Sequence, residues 1–88
     1  MNKEQVLKAI KGTGFEADLS VGLNVQGQLS SRGWYNLVVT MRDLKLYSKG
    51  IKPHRFWKIT NVKNYFGIKG TASDMLVTLE TYKKALFD

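Results

Sequence analysis

The sequence predicts a small α+β domain, in which an antiparallel sheet of three or four strands carries the N-terminal and C-terminal helices on one face. Two patterns indicate this class. Apolar and polar residues alternate strictly from residue 15 to residue 25, which is typical of a half-buried strand. Apolar residues recur at helical spacing near both ends of the chain. The 88 residues suffice for one domain, assigned to residues 1–88.

The first predicted element is a short helix that begins after Asn2. The side chain of Asn2 can cap the helix, and Gln5 can reach back to the backbone of Asn2, which together form a capping box. Val6 and Ile10 then share one face. Gly12 suits the left-handed backbone that often ends a helix.

Four strands are predicted to follow this helix. They cover residues 15–25, 34–41, 44–47 and 55–60. Glycines and serines at 27–33 indicate a hairpin connection, and Pro53 marks a loop at 48–53. The alternation slips by one residue at Arg42 and Asp43, which a turn or a β-bulge would explain.

The end of the chain is predicted to be helical. Asn61 can cap a helical turn that Gly67 would end. Either Thr71 with Asp74 three residues later, as a second capping box, or Ser73 can start the last helix, and Leu79 belongs to its apolar face. The predicted order of elements is therefore α-β-β-β-β-α, with the short helical turn before the last helix.

Positive charge is concentrated in the middle of the chain. The net charge is +7, and residues 31–70 alone carry nine lysines and arginines against one acid, Asp43. A neutral scaffold with one basic segment is typical of a protein that binds a polyanion. The alternative is that the charge serves solubility only. The candidate nucleic-acid-binding residues are Arg42, Lys45, Lys49, Lys52, His54, Arg55, Trp57, Lys58, Lys63, Gly67, Lys69 and Gly70.

Aromatic residues lie among these cations. Exposed rings stack on unpaired bases, so single-stranded nucleic-acid sites combine aromatic and basic residues. Phe56 and Trp57 are adjacent and would point to opposite faces of a strand, which makes Trp57 or Phe56 a stacking candidate. The alternative is that these large side chains belong to the core.

The segment Gly67-Ile68-Lys69-Gly70 lies between two predicted helices. It resembles the G-x-x-G loop of KH domains, in which the backbone approaches nucleic-acid phosphates closely. The resemblance covers residues 62–86, and no strand follows the last helix as the KH pattern requires. The alternative is that Gly67 ends one helix and Gly70 eases the turn into the next.

Several classes of function are disfavoured by composition. The chain has no cysteine, and His54 is its single histidine, with Asp43 as the one acid nearby in sequence. We therefore expect no metal, no cofactor and no enzymatic activity. No apolar run approaches the roughly 20 residues that span a membrane, and we expect a cytoplasmic protein without a membrane partner.

The sequence thus predicts a non-enzymatic nucleic-acid-binding module that prefers RNA to DNA. The RNA preference rests on the aromatic residues and on the lack of a predicted helix free to read a major groove. The alternative is an accessory protein of a phage or mobile element, which binds and inhibits or redirects a host protein such as a nuclease, a toxin or a ribonucleoprotein. Such a protein would use its basic face or an exposed strand edge.

Overall fold

The computed structural model describes residues 1–25 and 28–87, which form five helices and one two-stranded hairpin. The helices are α1 (Lys3–Ala9), α2 (Gly14–Leu19), α3 (Arg32–Ser48), α4 (Ile59–Phe66) and α5 (Ala72–Phe87), and the strands are β1 (Gly22–Val25) and β2 (Gln28–Ser31). The predicted α+β fold with a sheet of three or four strands is therefore wrong. The described part of the chain is a helical domain to which a short hairpin is attached.

The predicted first strand covers two different elements. Residues 14–19 form α2, in which the Thr13 hydroxyl accepts a hydrogen bond from the Glu16 backbone N–H at 3.1 Å. Phe15 and Leu19 are one helical turn apart on the inner face of α2. Residues four apart share a face in a strand as well, so over so few residues the alternating pattern does not distinguish a helix from a strand. The strand proper begins at Gly22, which pairs antiparallel with Ser31. Gly27, in the predicted loop, lies outside the described residues.

A single helix, α3, replaces the predicted second and third strands. The Ser31 hydroxyl accepts a hydrogen bond from the Trp34 backbone N–H at 3.0 Å and so caps a helix of 17 residues. Gly33, Leu37 and Leu44 are buried at helical spacing. The slip at residues 42 and 43 is therefore neither a turn nor a bulge, because it lies within a continuous helix.

The predicted fourth strand is also wrong. Residues 49–58 form an irregular loop, which contains a turn closed by a bond from the Trp57 N–H to the His54 carbonyl at 3.0 Å. α4 then begins at Ile59. Val62 and Phe66 are the buried residues of α4, and they lie one helical turn apart. Their burial in the helical core outweighs the preference of the preceding aromatic residues, Phe56 and Trp57, for a strand.

Three predicted helix ends are confirmed, whereas the predicted cap at Asn61 is wrong, because α4 begins at Ile59 without a side-chain cap. Asn2 and Gln5 form the capping box of α1 with bonds of 3.0 and 2.9 Å. Thr71 and Asp74 form the box at the start of α5 with bonds of 3.1 and 3.2 Å. Gly67 ends α4 with φ 66° and ψ 37°.

The core lies between α3 and α5, and it is completed by α1, α2 and α4. Its residues are Val6, Ile10, Phe15, Leu37, Leu44, Trp57, Val62, Phe66, Ile68, Ala72, Met75, Leu79 and Tyr82. α2 crosses α3 closely at Gly33, where a Cβ atom would lie 2.9 Å from the Leu19 backbone nitrogen. Among the described helices, none combines the length and the hydropathy needed to cross a bilayer.

Candidate nucleic-acid interface

Two grooves flank α3 on opposite sides. The first, here the α3–α4 groove, lies between α3, loop 49–58 and α4, and Asn36, Val39 and Thr40 form its α3 wall. The second, here the α3–α5 groove, is lined by Val38, Met41, Arg42 and Lys45 of α3 and by Lys83 of α5. Because successive helical residues are about 100° apart around the axis, these two sets of α3 residues face opposite directions.

The α3–α4 groove has an apolar floor and a polar rim. Its volume is about 310 Å³, which is at the lower end of the range of about 300–1,000 Å³ found for small-molecule sites. The lining residues are Asn36, Val39, Thr40, His54, Phe56, Trp57, Lys58, Asn61, Val62, Tyr65 and Phe66. Four neutral side chains with amide or hydroxyl groups, one exposed aromatic ring and one lysine thus meet in one depression.

The two adjacent aromatic residues have opposite environments. Trp57 is only 8% exposed, and its ring packs against Tyr47 with the centroids 4.8 Å apart. Phe56 is 73% exposed, and the Arg55 guanidinium lies 5.1 Å from the centroid of its ring. The prediction that one of the pair faces outward is met by Phe56. Trp57 belongs to the core and cannot serve as an exposed stacking surface.

A partly buried hydrogen-bond network fixes the α3 wall of the groove. The Tyr65 hydroxyl donates to Asp18 Oδ2 at 2.6 Å, and Asn36 Nδ2 donates to the Tyr65 hydroxyl oxygen at 2.9 Å. Asn36 Nδ2 also lies 3.5 Å from Asp18 Oδ2. Burial, together with the Asp18 carboxylate, raises the pKa of Tyr65 to about 12, although the bond from Asn36 opposes the shift. The hydroxyl therefore keeps its proton at neutral pH and holds the Asn36 amide in one orientation.

Several predicted cations surround this groove. His54 and Lys58 line it directly. Lys52 and Lys58 line a neighbouring depression on the other side of Trp57. With Arg55 over Phe56, loop 49–58 and the start of α4 thus bring together four of the predicted side chains, all of them exposed.

Other predicted cations lie elsewhere. Arg42 and Lys45 line the α3–α5 groove. Arg42 Nη2 is 3.3 Å from Oδ1 of the buried Asp43, so part of its charge is balanced locally. Lys49 is exposed at the C-terminal end of α3, and Lys63 is half-buried in the last turn of α4.

The glycine-containing segment between α4 and α5 is explained by its helix ends. The N–H groups of Gly67 and Ile68 both bond to the Lys63 carbonyl, which closes α4. At Gly70, φ is 109° and a Cβ would lie 2.8 Å from Asp74 Cβ. The N–H of Thr71 already bonds to Asp74, while Lys69 is exposed. These bonds favour the capping interpretation, because the N–H groups of Gly67, Ile68 and Thr71 are used within the chain.

Sequence reasoning missed the neutral polar residues of the α3–α4 groove. Asn36, Thr40 and Asn61 were not among the candidates. The spacing of Asn36, Val39 and Thr40 is that of one helix face, so it would have indicated a shared wall only after residues 32–48 were assigned to a helix.

The described residues contain no group of three or more histidine, aspartate or glutamate side chains placed to hold a metal ion. In the comparisons with known proteins, no family model, no curated protein sequence and no solved structure matches this chain.

Proposed function

We propose that this protein binds single-stranded nucleic acid, with RNA preferred, through loop 49–58 and the α3–α4 groove. Phosphates would lie along Lys52, Arg55 and Lys58, and Phe56 would stack on a base. The observation that carries the proposal is Phe56, a largely exposed aromatic ring beside a groove and surrounded by cations. Leaving such a ring in water is costly, and single-stranded nucleic-acid sites are built from this combination.

The charge distribution supports the same face. Lys52, Arg55 and Lys58 are exposed and have no acidic partner among the described residues. The exposed surface of α5, by contrast, carries the acids Asp74 and Glu80 together with Lys84. A strand of phosphates would therefore be attracted more strongly to loop 49–58 than to the outer surface of α5.

The proposal is tested by removing three charges from this face. The variant Lys52→Gln, Arg55→Gln, Lys58→Gln should bind a fluorescently labelled single-stranded RNA far more weakly than the unmodified chain at low salt. If each cation contacts one phosphate, the slope of log K against log salt concentration should decrease in magnitude by roughly 2, at about 0.7 per phosphate of a single strand. Fluorescence anisotropy at several salt concentrations measures both quantities.

A matched control removes the same charge from another surface. Lys3, Lys8 and Lys11 lie on or beside α1 and are exposed. The variant Lys3→Gln, Lys8→Gln, Lys11→Gln should keep most of the affinity and most of the salt slope. Equal losses in the two triple variants would mean that net charge alone governs binding, and the proposed interface would be abandoned. Duplex RNA and duplex DNA, tested in parallel, should bind more weakly than single-stranded RNA.

A second candidate function is favoured by the α3–α5 groove. This groove, of about 270 Å³, has Val38 and Met41 in its floor, with Arg42, Lys45 and Lys83 around it. Apolar and basic groups in one groove suit an acidic, amphipathic segment of another protein. Weak binding of every nucleic acid by the unmodified chain would favour this alternative, in which the protein inhibits or redirects a host protein. The substitution Lys45→Glu should then reduce capture of that partner.

A further inference from the structure

We infer that a second base of the bound strand stacks on Tyr47, in a depression next to the α3–α4 groove. This inference rests on the proposed function, because it extends the site in which Phe56 stacks on one base. It goes further in assigning a binding role to Tyr47. The depression, here the Tyr47 depression, has a volume of about 380 Å³, within the range of small-molecule sites. It is lined by Tyr47, Lys52, Trp57, Lys58, Ile59 and Thr60.

Tyr47 presents a supported aromatic ring to this depression. Its ring packs against Trp57 with the centroids 4.8 Å apart and the planes inclined at 44°. Trp57 is buried, so this contact holds the Tyr47 ring in place, while 38% of Tyr47 stays exposed. The Tyr47 hydroxyl forms no hydrogen bond to another described residue. A ring that the core supports and that remains exposed is suited to stack on an unpaired base of any type, because each base has a π-face.

The charges around this ring suit the backbone of a strand. Lys52 and Lys58 are exposed, and no acid lines the Tyr47 depression. Trp57 and Lys58 also line the α3–α4 groove, so the two depressions are adjacent. One phosphate joins each nucleoside to the next, and Lys58 is therefore placed to neutralise the phosphate between the two bases. Single-stranded sites hold unstacked bases splayed apart in this way.

A second tyrosine of α3 offers a comparison within the same helix. Tyr35 is 40% exposed, which is close to the value for Tyr47, but it lines neither depression. If exposure of a tyrosine ring were sufficient to hold a base, Tyr35 and Tyr47 would contribute equally. Because Tyr47 alone of the two lies next to the groove of Phe56, its substitution should weaken binding and that of Tyr35 should not.

The experiment compares two labelled strands of one length by fluorescence anisotropy. One is a single-stranded oligouridine RNA, and the other is an abasic ribose-phosphate strand, which has the same phosphates and no bases. Tyr47→Leu should bind the RNA about 5-fold more weakly or worse, as expected for one stacked base. Its affinity for the abasic strand should be unchanged, because Lys52 and Lys58 remain. Tyr35→Leu is the matched control and should keep both affinities.

Two further variants test the ring itself and its independence from Phe56. Tyr47→Phe keeps the ring and its contact with Trp57, so it should keep most of the affinity for the RNA. Phe56→Leu should also weaken RNA binding. The variant with both leucine substitutions should lose the product of the two single losses, because each ring holds a different base. Circular dichroism of each variant establishes that it is folded.

The outcomes separate this inference from the proposed function. Undiminished RNA binding by Tyr47→Leu, with weaker binding by Phe56→Leu, would overturn the second base position and leave the proposed function standing. Equal losses of Tyr47→Leu on the RNA and on the abasic strand would overturn it too, because Tyr47 would then act only through the fold. A double variant no weaker than the weaker single variant would mean that both rings hold one base, which also overturns it. Weak binding of the RNA by the unmodified chain would overturn both.

Discussion

The substitution Gly33→Ala tests the packing that places the α3 wall of the groove. Gly33 lies in the first turn of α3, where α2 crosses it. An added Cβ would be 2.9 Å from the backbone nitrogen of Leu19 and 3.0 Å from its Cα. Since these are backbone atoms, the two helices must move apart, and such overpacking costs about 1–3 kcal/mol.

The gain from replacing glycine in a helix opposes this cost. Alanine is favoured over glycine by roughly 0.5–1 kcal/mol within a helix, and by less at its first turn. We therefore expect Gly33→Ala to lower the free energy of unfolding by about 1–2 kcal/mol. For a domain of this size, each kcal/mol shifts Tm by about 4–8 °C.

Urea unfolding followed by far-ultraviolet circular dichroism measures the effect. Gly22→Ala is the control, because its Cβ would have no heavy atom within 4 Å and its φ is not positive. This control should leave the free energy of unfolding nearly unchanged. A Gly33→Ala variant as stable as the unmodified chain, or more stable, would refute the close crossing of α2 and α3.

Two further predictions concern Gly67 and Tyr65. Gly67→Ala should lower the free energy of unfolding by about 1–2 kcal/mol, because φ is 66° there and the new Cβ would lie 2.9 Å from Thr13 Cγ2; urea unfolding measures the loss. The Tyr65 phenol, with its pKa raised to about 12, should ionise only near that pH in the folded chain and near pH 10 when unfolded. The stability that the protonated Tyr65 hydroxyl supplies is complete below pH 10 and falls as the pH rises toward 12. Denaturation experiments should therefore show a smaller loss of stability between pH 10 and pH 12 in Tyr65→Phe than in the unmodified chain.

The features predicted correctly from the sequence depend on neighbouring residues. A capping box joins a side chain to the backbone three residues away, so Asn2 with Gln5, and Thr71 with Asp74, can be recognised without knowledge of the rest of the fold. The same is true of Gly67, whose left-handed backbone ends α4 by local bonds.

The features predicted wrongly depend on packing between distant segments. Residues 38–40 are two valines and a threonine, which favour strands intrinsically. They become helical because Gly33, Leu37 and Leu44 share a face that α2 and α5 cover. Tertiary burial decides the conformation here, because the helical spacing of these residues competes with the strand preference of residues 38–40.

The site was predictable to the extent that it depends on charge. The basic segment is a property of composition, so its cations can be named as candidates even when the fold is predicted wrongly. The neutral residues of the groove were missed, because Asn36 and Asn61 are far apart in sequence and meet only when α3 and α4 pack. The exposure of Phe56 and not Trp57 likewise depends on the Tyr47 ring that covers Trp57.

The change of fold also alters the argument about the type of nucleic acid. The preference for RNA rested partly on the absence of a helix free to enter a major groove. Part of α3 could enter a major groove, since Arg42, Lys45 and Lys49 at its C-terminal end are exposed and lie on one face at helical spacing. The aromatic ring on that face, Tyr35, is 40% exposed against 73% for Phe56, and Arg42 is paired with Asp43. A duplex held by α3 would therefore be lost in Lys45→Gln with Lys49→Gln but kept in the loop variant, whereas a single strand on loop 49–58 would respond in the opposite way.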